Sequence, residues 1–351
     1  MADRLRWRVA EVVAETPDTH SFVLEPLDET PAPYRAGQFL TVRVPSERTG
    51  HVARSYSFSS APATGEPARI TVRRTADGYA SNWLCDQIGA GDVIESLAPG
   101  GVFTPADLTA DLLLVGGGSG ITPVLSILKE ALQRGTGHVV LLYASRDEAS
   151  VIFADEVRTL QQAHPDRLTV MHWLESVQGR PDAAVLGLLR PYLARETWIC
   201  GPGPFMELVE SGVRAAGADP SRVHVERFVS LTSDPFRDGD ESADDEGSAT
   251  AATLELTLDG VKHELPWPPG KRLLEVALDA GLPAPYSCRE GACSACACLV
   301  ELGEDSLAQV AAAGVTVSDV DLASFKSAVS GVYDLLNLQA EVETVNKVLG
   351  R

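Results

Sequence analysis

The chain has 351 residues, 44% of them hydrophobic, and a formal net charge of −20 at pH 7. This length predicts about two or three domains, and the apolar content is enough for packed cores. So acidic a chain is not expected to bind nucleic acid or an anionic membrane surface. The charge allows attraction to a basic patch on a protein partner, and it can equally serve solubility alone. No stretch has the length and hydrophobicity of a membrane span, and the first residues lack a signal-peptide pattern, so the sequence predicts a cytoplasmic protein.

The first hundred residues are predicted to form a β-barrel. Short runs rich in Val, Leu, Phe and Thr, separated by glycine and proline, fill residues 6 to 105, which is typical of an antiparallel barrel or sandwich. Within them, Arg54-Ser55-Tyr56-Ser57 suits the end of a strand, where alternate side chains face the same way. An arginine there suits a phosphate, an aromatic ring suits a planar cofactor and a hydroxyl suits a ring nitrogen, so the run predicts a flavin platform. Taken alone, the more ordinary interpretation is a half-buried strand with an exposed arginine.

A second candidate segment of the barrel, Gly78 to Leu84, predicts the start of a helix. Ser81 suits the N-cap position, and the amides that follow it would face an anion such as a phosphate. Taken alone, this segment is also compatible with an ordinary capped helix.

From Leu112 the pattern changes to that of a nucleotide-binding unit. Leu112 to Val115 predicts a buried parallel strand, which the glycine-rich run Gly116 to Gly120 connects to an amphipathic helix ending near Arg134. Glycines let the backbone approach a pyrophosphate, and the helix N-terminus supplies free N–H groups and a partial positive charge. The spacing meets the G-x-G-x-x-G fingerprint only in part, and Thr122-Pro123 in the first turn is a specific addition.

Strands and helices continue to alternate after this unit. Strands are predicted at residues 139–143, 168–172 and 197–200, and helices near residues 152–164 and after Phe205. Such alternation predicts a doubly wound parallel sheet. The run from Cys200 to Met206 follows the last of these strands, at the carboxyl end where open α/β sheets bind ligands. The segment from Val223 to Phe228 is expected to close the domain.

The last third of the chain contains a linker, a cysteine loop and a tail. Residues 230–251 are acidic and poor in large apolar residues, which favours a flexible tether. A hairpin from Leu254 and a helix near residues 273–280 precede Cys288-x4-Cys293-x2-Cys296. This is the plant-type spacing for three ligands of a 2Fe-2S cluster, and in a cytosolic chain it favours metal over disulfides.

A fourth cysteine ligand is missing from the expected place, because no cysteine follows Cys298. Cys298 is a candidate substitute, although it is better interpreted as a small packed residue. Asp321, in the tail, is another candidate. The tail, residues 303–351, predicts an amphipathic helix over residues 330–349, so the alternative is a cluster-less reductase whose C-terminal region serves docking.

Together these motifs resemble the ferredoxin-NADP-reductase superfamily fused to a plant-type ferredoxin. Within it, the runs at residues 46–50, 74–86 and 172–176 resemble the reductase components of 3-ketosteroid 9α-hydroxylases; reductases of phenylacetyl-CoA epoxidases share the layout. The resemblance implies a β-barrel flavin domain (1–107), an α/β nucleotide domain (108–229), the linker (230–251), a partial ferredoxin-like β-grasp domain (252–302) and a divergent tail (303–351).

The resemblance also assigns roles to residues. Arg54 matches the flavin phosphate ligand, Tyr56 the stacking residue, Ser57 the partner of the flavin N5 and Cys200 the residue beside the nicotinamide. Glu226 and Phe228 match terminal positions that cover the flavin. The residues expected to act in catalysis are Ser57, Thr122, Cys200 and Glu226. Those expected to bind cofactors are Arg54, Ser55, Tyr56, Ser57, Gly78, Ala80, Ser81, Gly117, Gly118, Ser119, Gly120, Thr122, Arg146, Gly201, Pro202, Phe205 and Phe228, and those expected to bind metal are Cys288, Cys293 and Cys296.

The same resemblance implies the redox chain. Electrons would pass from NADH through FAD and a 2Fe-2S cluster to a Rieske-type oxygenase, and the reductase itself would be a monomer. Cofactors carry out such redox steps while the protein orients them. Arg146 suits the 2′-phosphate of NADPH, but the adjacent Asp147 would repel one, so NADH is expected and NADPH stays possible.

Overall fold

A computed structural model of the chain describes residues 4–27, 33–228, 235–236, 252–258, 260–268, 271–282 and 284. The chain divides into two compact units, one covering residues 2–234 and the other beginning at residue 235. Among the described residues, no helix is both long enough and apolar enough to cross a membrane.

A six-stranded antiparallel sheet forms the first part of the larger unit, with strand order β4-β3-β6-β1-β2-β5. A bridge between Phe58 and Ile70 brings the residue after β4 against β5, so the two edge strands meet and the sheet closes into the predicted barrel. Alternate residues such as Leu40, Val42 and Val44 on β3 fill its interior, as the two-residue period of a strand requires. The elements are β1 (Leu5–Thr16), β2 (Thr19–Pro26), β3 (Phe39–Ser46), β4 (Gly50–Ser57), β5 (Ala68–Arg73), α1 (Tyr79–Gln87) and β6 (Val93–Ser96).

The second part of this unit is a five-stranded parallel sheet with order β11-β10-β7-β8-β9. Every residue of its central strand β7 is buried, because apolar cores cover both faces of the sheet, and the predicted doubly wound sheet is confirmed. Its elements are β7 (Leu112–Gly117), α2 (Ile121–Arg134), β8 (Val139–Ser145), α3 (Ala154–Ala163), β9 (Leu168–Leu174), α4 (Glu175–Gln178), α5 (Ala183–Leu189), β10 (Glu196–Cys200), α6 (Gly203–Ala215) and β11 (Val223–Glu226).

The strand order of this sheet reverses between β7 and β10. Helices that leave two such neighbouring strands lie on opposite faces, so a crevice opens at the carboxyl ends of the two strands. The turns after β7 and β10 are the two glycine-containing runs that the sequence singled out.

Helix α2 joins the barrel to the parallel sheet. The Ser126 hydroxyl donates to the carbonyl of Ser60 at 2.6 Å and accepts from the Gly37 amide at 3.2 Å. Arg69 of β5 pairs with Glu156 of α3 at 2.8 Å, and the buried Lys129 contacts the same carboxylate at 2.8 Å. Buried polar contacts of this kind fix geometry, because each group loses its water and is satisfied only in this arrangement. The segment that directly follows the flavin-motif strand is therefore held against the helix that follows the glycine turn.

The secondary structure described in the second unit is the antiparallel hairpin β12 (Ala252–Leu258) and β13 (Val261–Trp267), followed by α7 (Leu273–Asp279). The predicted hairpin and helix are confirmed. The Trp267 indole donates to the carbonyl of Lys271 at 2.7 Å, and Val276 and Ala277 of α7 are buried. The predicted ligands Cys288, Cys293 and Cys296, the candidates Cys298 and Asp321 and the predicted tail helix lie outside the described residues, as does nearly all of the predicted linker.

Candidate functional site

The flavin motif occupies the end of strand β4. Ser57 is buried, with 4% of its surface exposed, whereas Arg54 and Tyr56 are half-buried and share the other side of the strand. Tyr56 packs against the barrel core, and burial raises the pKa of its phenol, so the ring stays neutral at any physiological pH. The Ser55 hydroxyl lies 3.0 Å from that of Thr41 on β3. The strand thus presents one cation, one aromatic ring and one buried hydroxyl, as the sequence predicts.

Helix α1 begins at Tyr79, with Gly78 at the N-cap position. The predicted N-cap at Ser81 is wrong, because the Ser81 hydroxyl turns back and accepts from the Thr75 amide at 3.1 Å. Asn82 donates to the carbonyls of Gly78 and Thr75, so the preceding turn is already closed when the helix starts. No acidic side chain lies in the first turn, and the partial positive charge of this helix end therefore remains available to an anion.

The turn after β7 is shaped by glycines. Gly118 has φ +52, in the left-handed region that favours glycine. A Cβ on Gly117 would lie 2.7 Å from the ring of Phe205, and one on Gly120 would overlap the carbonyl of Cys200. Because Gly120 has no side chain, the turn after β7 packs directly against the backbone of Cys200, where the turn after β10 begins. Helix α2 follows at once, without an acidic residue in its first turn.

Two side chains brace this turn. The Thr122 hydroxyl donates to the carbonyl of Ser119 at 3.0 Å, so the residue predicted for catalysis also closes the first turn of α2. The Tyr143 hydroxyl donates to the carbonyl of Gly118 at 3.4 Å and accepts from the Ile152 amide at 3.0 Å. The backbone amides at the start of α2 are thereby held in place.

Cys200 and Glu226 lie side by side at the carboxyl edge of the parallel sheet. In the strand register Cys200 pairs with Gly116 on one side and with Glu226 on the other. Burial raises the pKa of the Cys200 thiol, and the nearby Glu226 carboxylate raises it further. Burial also raises the pKa of Glu226 to about 7, so this group gains or loses a proton near neutral pH. Two residues on, Phe228 has 51% of its surface exposed.

The turn after β10 continues into α6 through Pro202, the residue before the helix. A Cβ on Gly201 would lie 2.9 Å from the ring of Phe205 and 3.1 Å from the backbone of Gly117. Pro202 and Phe205 therefore line the same crevice as the first glycine turn. The structure brings together the predicted residues of both turns.

Two residues of the barrel that the sequence did not single out reach this crevice. Arg73, at the end of β5, points at Gly118, since its Nη1 atom would lie 3.0 Å from a Cβ placed there. Asp18, between β1 and β2, accepts from Arg73 Nε at 3.0 Å and lies 3.4 Å from Arg146 Nη2. These contacts join segments far apart in the chain, so no local pattern indicates them. The one signal in the sequence is Arg73 itself, a basic residue at the end of a barrel strand, where it can reach a phosphate.

Arg146 and Asp147 follow strand β8. Arg146 is exposed and contacts Asp18. The Asp147 carboxylate accepts from the Ser150 amide at 2.9 Å and so caps the short helical turn that starts there. The carboxylate that faces Arg146 is therefore that of Asp18.

The residues of the crevice have the chemistry that a dinucleotide needs, and those of the barrel have the chemistry that a flavin needs. A Cβ atom added to Gly118 would have only the Arg73 side chain within 4 Å. The turn therefore leaves open space next to a cation, as pyrophosphate binding requires. Arg54 and the free helix start at Gly78 supply the same chemistry on the barrel side. When bound, a flavin accepts a hydride from a nicotinamide and passes electrons on singly.

Comparison with known proteins defines the class. The chain matches three family models in order: the oxidoreductase FAD-binding domain over residues 7–104, the oxidoreductase NAD-binding domain over residues 114–211 and the 2Fe-2S iron-sulfur cluster binding domain over residues 256–318. It is 29% identical to the FAD/NAD-binding domain of a nitric oxide dioxygenase from Vibrio cholerae, with a TM-score of 0.57 over 64% of this chain and 98% of that one. The protein is an NAD(P)H-dependent flavoprotein reductase with FAD, NAD and 2Fe-2S cofactors.

The relatives define the family. The ferredoxin reductase component of 3-ketosteroid-9-alpha-monooxygenase from Mycolicibacterium smegmatis is 55% identical over 86% of this chain and 87% of its own length. The component of the same name from Rhodococcus rhodochrous is 53% identical over 84% and 86%. The chain belongs to this family of ferredoxin reductase components, which serve multicomponent monooxygenases.

Proposed function

We propose that this protein takes electrons from NADH and passes them through FAD and a 2Fe-2S cluster to a Rieske-type oxygenase that 9α-hydroxylates 3-ketosteroids. The observation that carries this proposal is the 55% identity to a reductase of that name across all three domains. The name of that relative favours a steroid oxygenase as partner over the epoxidase alternative. A thiolate-bound cluster needs a reducing compartment, so we place the reaction in the cytoplasm, with the reductase acting as a monomer.

The geometry supports a specific division of roles. We assign Arg54, Gly78, Ala80 and Ser81 to the flavin phosphates, and Tyr56 and Ser57 to the flavin ring. The amides of residues 117–120 are assigned to the nucleotide pyrophosphate. Because Ser126 and Ser60 join α2 to the segment after β4, Thr122 and Ser57 lie on elements that are held together. Cys200 and Glu226 lie next to the turn after β10 and are assigned to the nicotinamide side of the crevice.

Glu226 has the chemistry of a proton-handling group. Its pKa near 7 makes both protonation states accessible at physiological pH, which suits a residue that neutralises charge appearing on a neighbouring ring. Cys200, whose thiol stays protonated because of burial, can only pack and donate weakly. We therefore assign proton transfer to Glu226, and we assign to Cys200 only packing against the nicotinamide.

The cluster is tested by measuring iron, acid-labile sulfide and flavin on one anaerobic preparation. The proposal expects about two irons and two sulfides per flavin. Cys293→Ser should abolish the cluster spectrum and leave the flavin bands, and Cys298→Ser is the matched control that should leave both. Flavin without iron in the wild-type protein would instead support the cluster-less alternative, which the missing fourth cysteine motivates.

The partner is tested by reconstitution with an oxygenase component and a 3-ketosteroid. NADH oxidation should yield hydroxylated steroid in the full system and ferricyanide reduction without the oxygenase. Ferricyanide reduction with no electron delivery to the oxygenase would contradict the proposal. Deleting residues 319–351, which lie beyond the matched iron-sulfur domain, separates the alternatives: a docking role predicts loss of oxygenase binding with NADH oxidation intact.

A further inference from the structure

The contact between Asp18 and Arg146 bears on the choice between NADH and NADPH. In open α/β sheets the glycine turn follows one strand, and the adenosine ribose lies at the carboxyl end of the neighbouring strand. An arginine at that end accommodates the 2′-phosphate of NADPH. Arg146 follows β8, which neighbours β7 in the sheet, and is exposed. By itself this residue would favour NADPH.

The barrel supplies an opposing charge at the same place. The Asp18 carboxylate lies 3.4 Å from Arg146 Nη2 although the two residues are 128 positions apart. It is held there by the Thr16 and Thr19 hydroxyls at 2.8 and 3.0 Å and by Arg73 Nε at 3.0 Å. Burial opposes ionisation, but these hydrogen bonds outweigh it and keep the pKa of Asp18 below its ordinary value, so the group is charged at neutral pH.

We propose that Asp18 determines the coenzyme preference of this reductase by occupying Arg146 and placing a negative charge beside the position of a 2′-phosphate. A ribose with a free 2′-hydroxyl is accepted, and a 2′-phosphate meets a carboxylate. The same carboxylate leaves Arg73 directed at Gly118, where a positive charge serves the pyrophosphate of either coenzyme. The inference rests on the proposed nucleotide site and deepens it.

Asp18→Asn tests this idea, because it removes the charge and keeps the size of the side chain. We measure dissociation constants of NAD⁺ and NADP⁺ on the flavin-loaded full chain by calorimetry, and kcat/KM for NADH and NADPH with ferricyanide. The preference for the unphosphorylated coenzyme should fall about tenfold in both measurements, the size expected for removing one partly screened charge a few ångströms away. Asp147→Asn is the matched control, and it should change the preference less than twofold.

A second variant keeps the test independent of how well Asp18→Asn folds. Arg146→Ala alters an exposed side chain and leaves the Asp18 carboxylate with Arg73 as its cationic partner at 3.0 Å. The negative charge beside the 2′-phosphate position is then less compensated, so NADP⁺ binding should weaken at least threefold relative to NAD⁺. An unchanged preference in both Asp18→Asn and Arg146→Ala would overturn the inference, as would a shift in Asp147→Asn equal to that in Asp18→Asn. Failure of the wild-type protein to bind either nucleotide would overturn the proposed nucleotide site itself and with it this inference.

Discussion

Glu226→Gln is expected to stabilise the fold while it impairs the reaction. The pKa of this carboxyl rises from its ordinary value of 4.5 to about 7 in the folded protein. A raised carboxyl pKa means that the folded state disfavours the charged form, so the group destabilises the fold above the unfolded-state pKa. The cost is absent below about pH 4.5, grows as the pH rises to about 7 and stays constant beyond.

The magnitude follows from the shift. A difference of about 2.5 pKa units corresponds to ~3 kcal/mol at most, and since the side chain is only partly buried we expect about 1–2 kcal/mol. For a unit of this size that corresponds to a rise of about 2–8 °C in the thermal midpoint at pH 8. Glutamine has the same shape and no charge, so the gain should shrink to a minor fraction at pH 5.

The assay is thermal or urea unfolding of the flavin-loaded protein, followed by tryptophan fluorescence at pH 5 and pH 8. Glu11→Gln, at an exposed position of β1, is the control and should show no such pH-dependent gain. Turnover of NADH with ferricyanide should fall in Glu226→Gln only. A variant no more stable than wild type at pH 8 would refute the reasoning, because the carboxylate would then carry no burial cost.

Three further predictions concern packing and cofactor retention. Gly120→Ala places a methyl group against the Cys200 carbonyl. It should lower the free energy of unfolding in urea by about 1–3 kcal/mol and raise the KM for NADH. Gly187→Ala is the control and should do neither, because an added Cβ there has no neighbouring atom within 4 Å. Arg54→Ala should lower the flavin content that remains after gel filtration. Arg8 forms an exposed ion pair with Glu25, so Arg8→Ala is the control and should keep the wild-type flavin content. Equal losses in the two variants would contradict the phosphate role of Arg54. Lys129→Met should cost about 1–3 kcal/mol because the half-buried Glu156 carboxylate then keeps only Arg69 as a cationic partner. A loss well below about 1 kcal/mol in urea unfolding would contradict this.

Sequence patterns predicted the elements of the larger unit because each pattern is local. The apolar run at β7, the glycine turn after it and the two-residue alternation of the barrel strands report directly on backbone conformation and burial. The start of α1 was misplaced at Ser81 for a local reason too: a serine before an apolar stretch suits an N-cap, but its hydroxyl instead closes the turn at Thr75.

Contacts between distant segments were beyond sequence patterns. Asp18 is an ordinary turn residue in sequence, and only the docking of the barrel on the parallel sheet brings it to Arg146. The raised pKa of Glu226 has the same origin, since burial by the folded chain produces it. The domain boundaries and the site assignments stay predictions, and the cysteine loop lies outside the described residues.

The close approach of Gly120 to the Cys200 carbonyl has a consequence for how this reductase can diversify. A contact made by backbone alone offers no side chain to exchange, so the centre of the crevice has little room for chemical variation. New coenzyme preferences or altered rates must then come from its rim, from Asp18, Arg73 and Arg146, which reach it from separate segments of the chain. Engineering of this enzyme is best directed at those rim positions, with the two turns left unchanged.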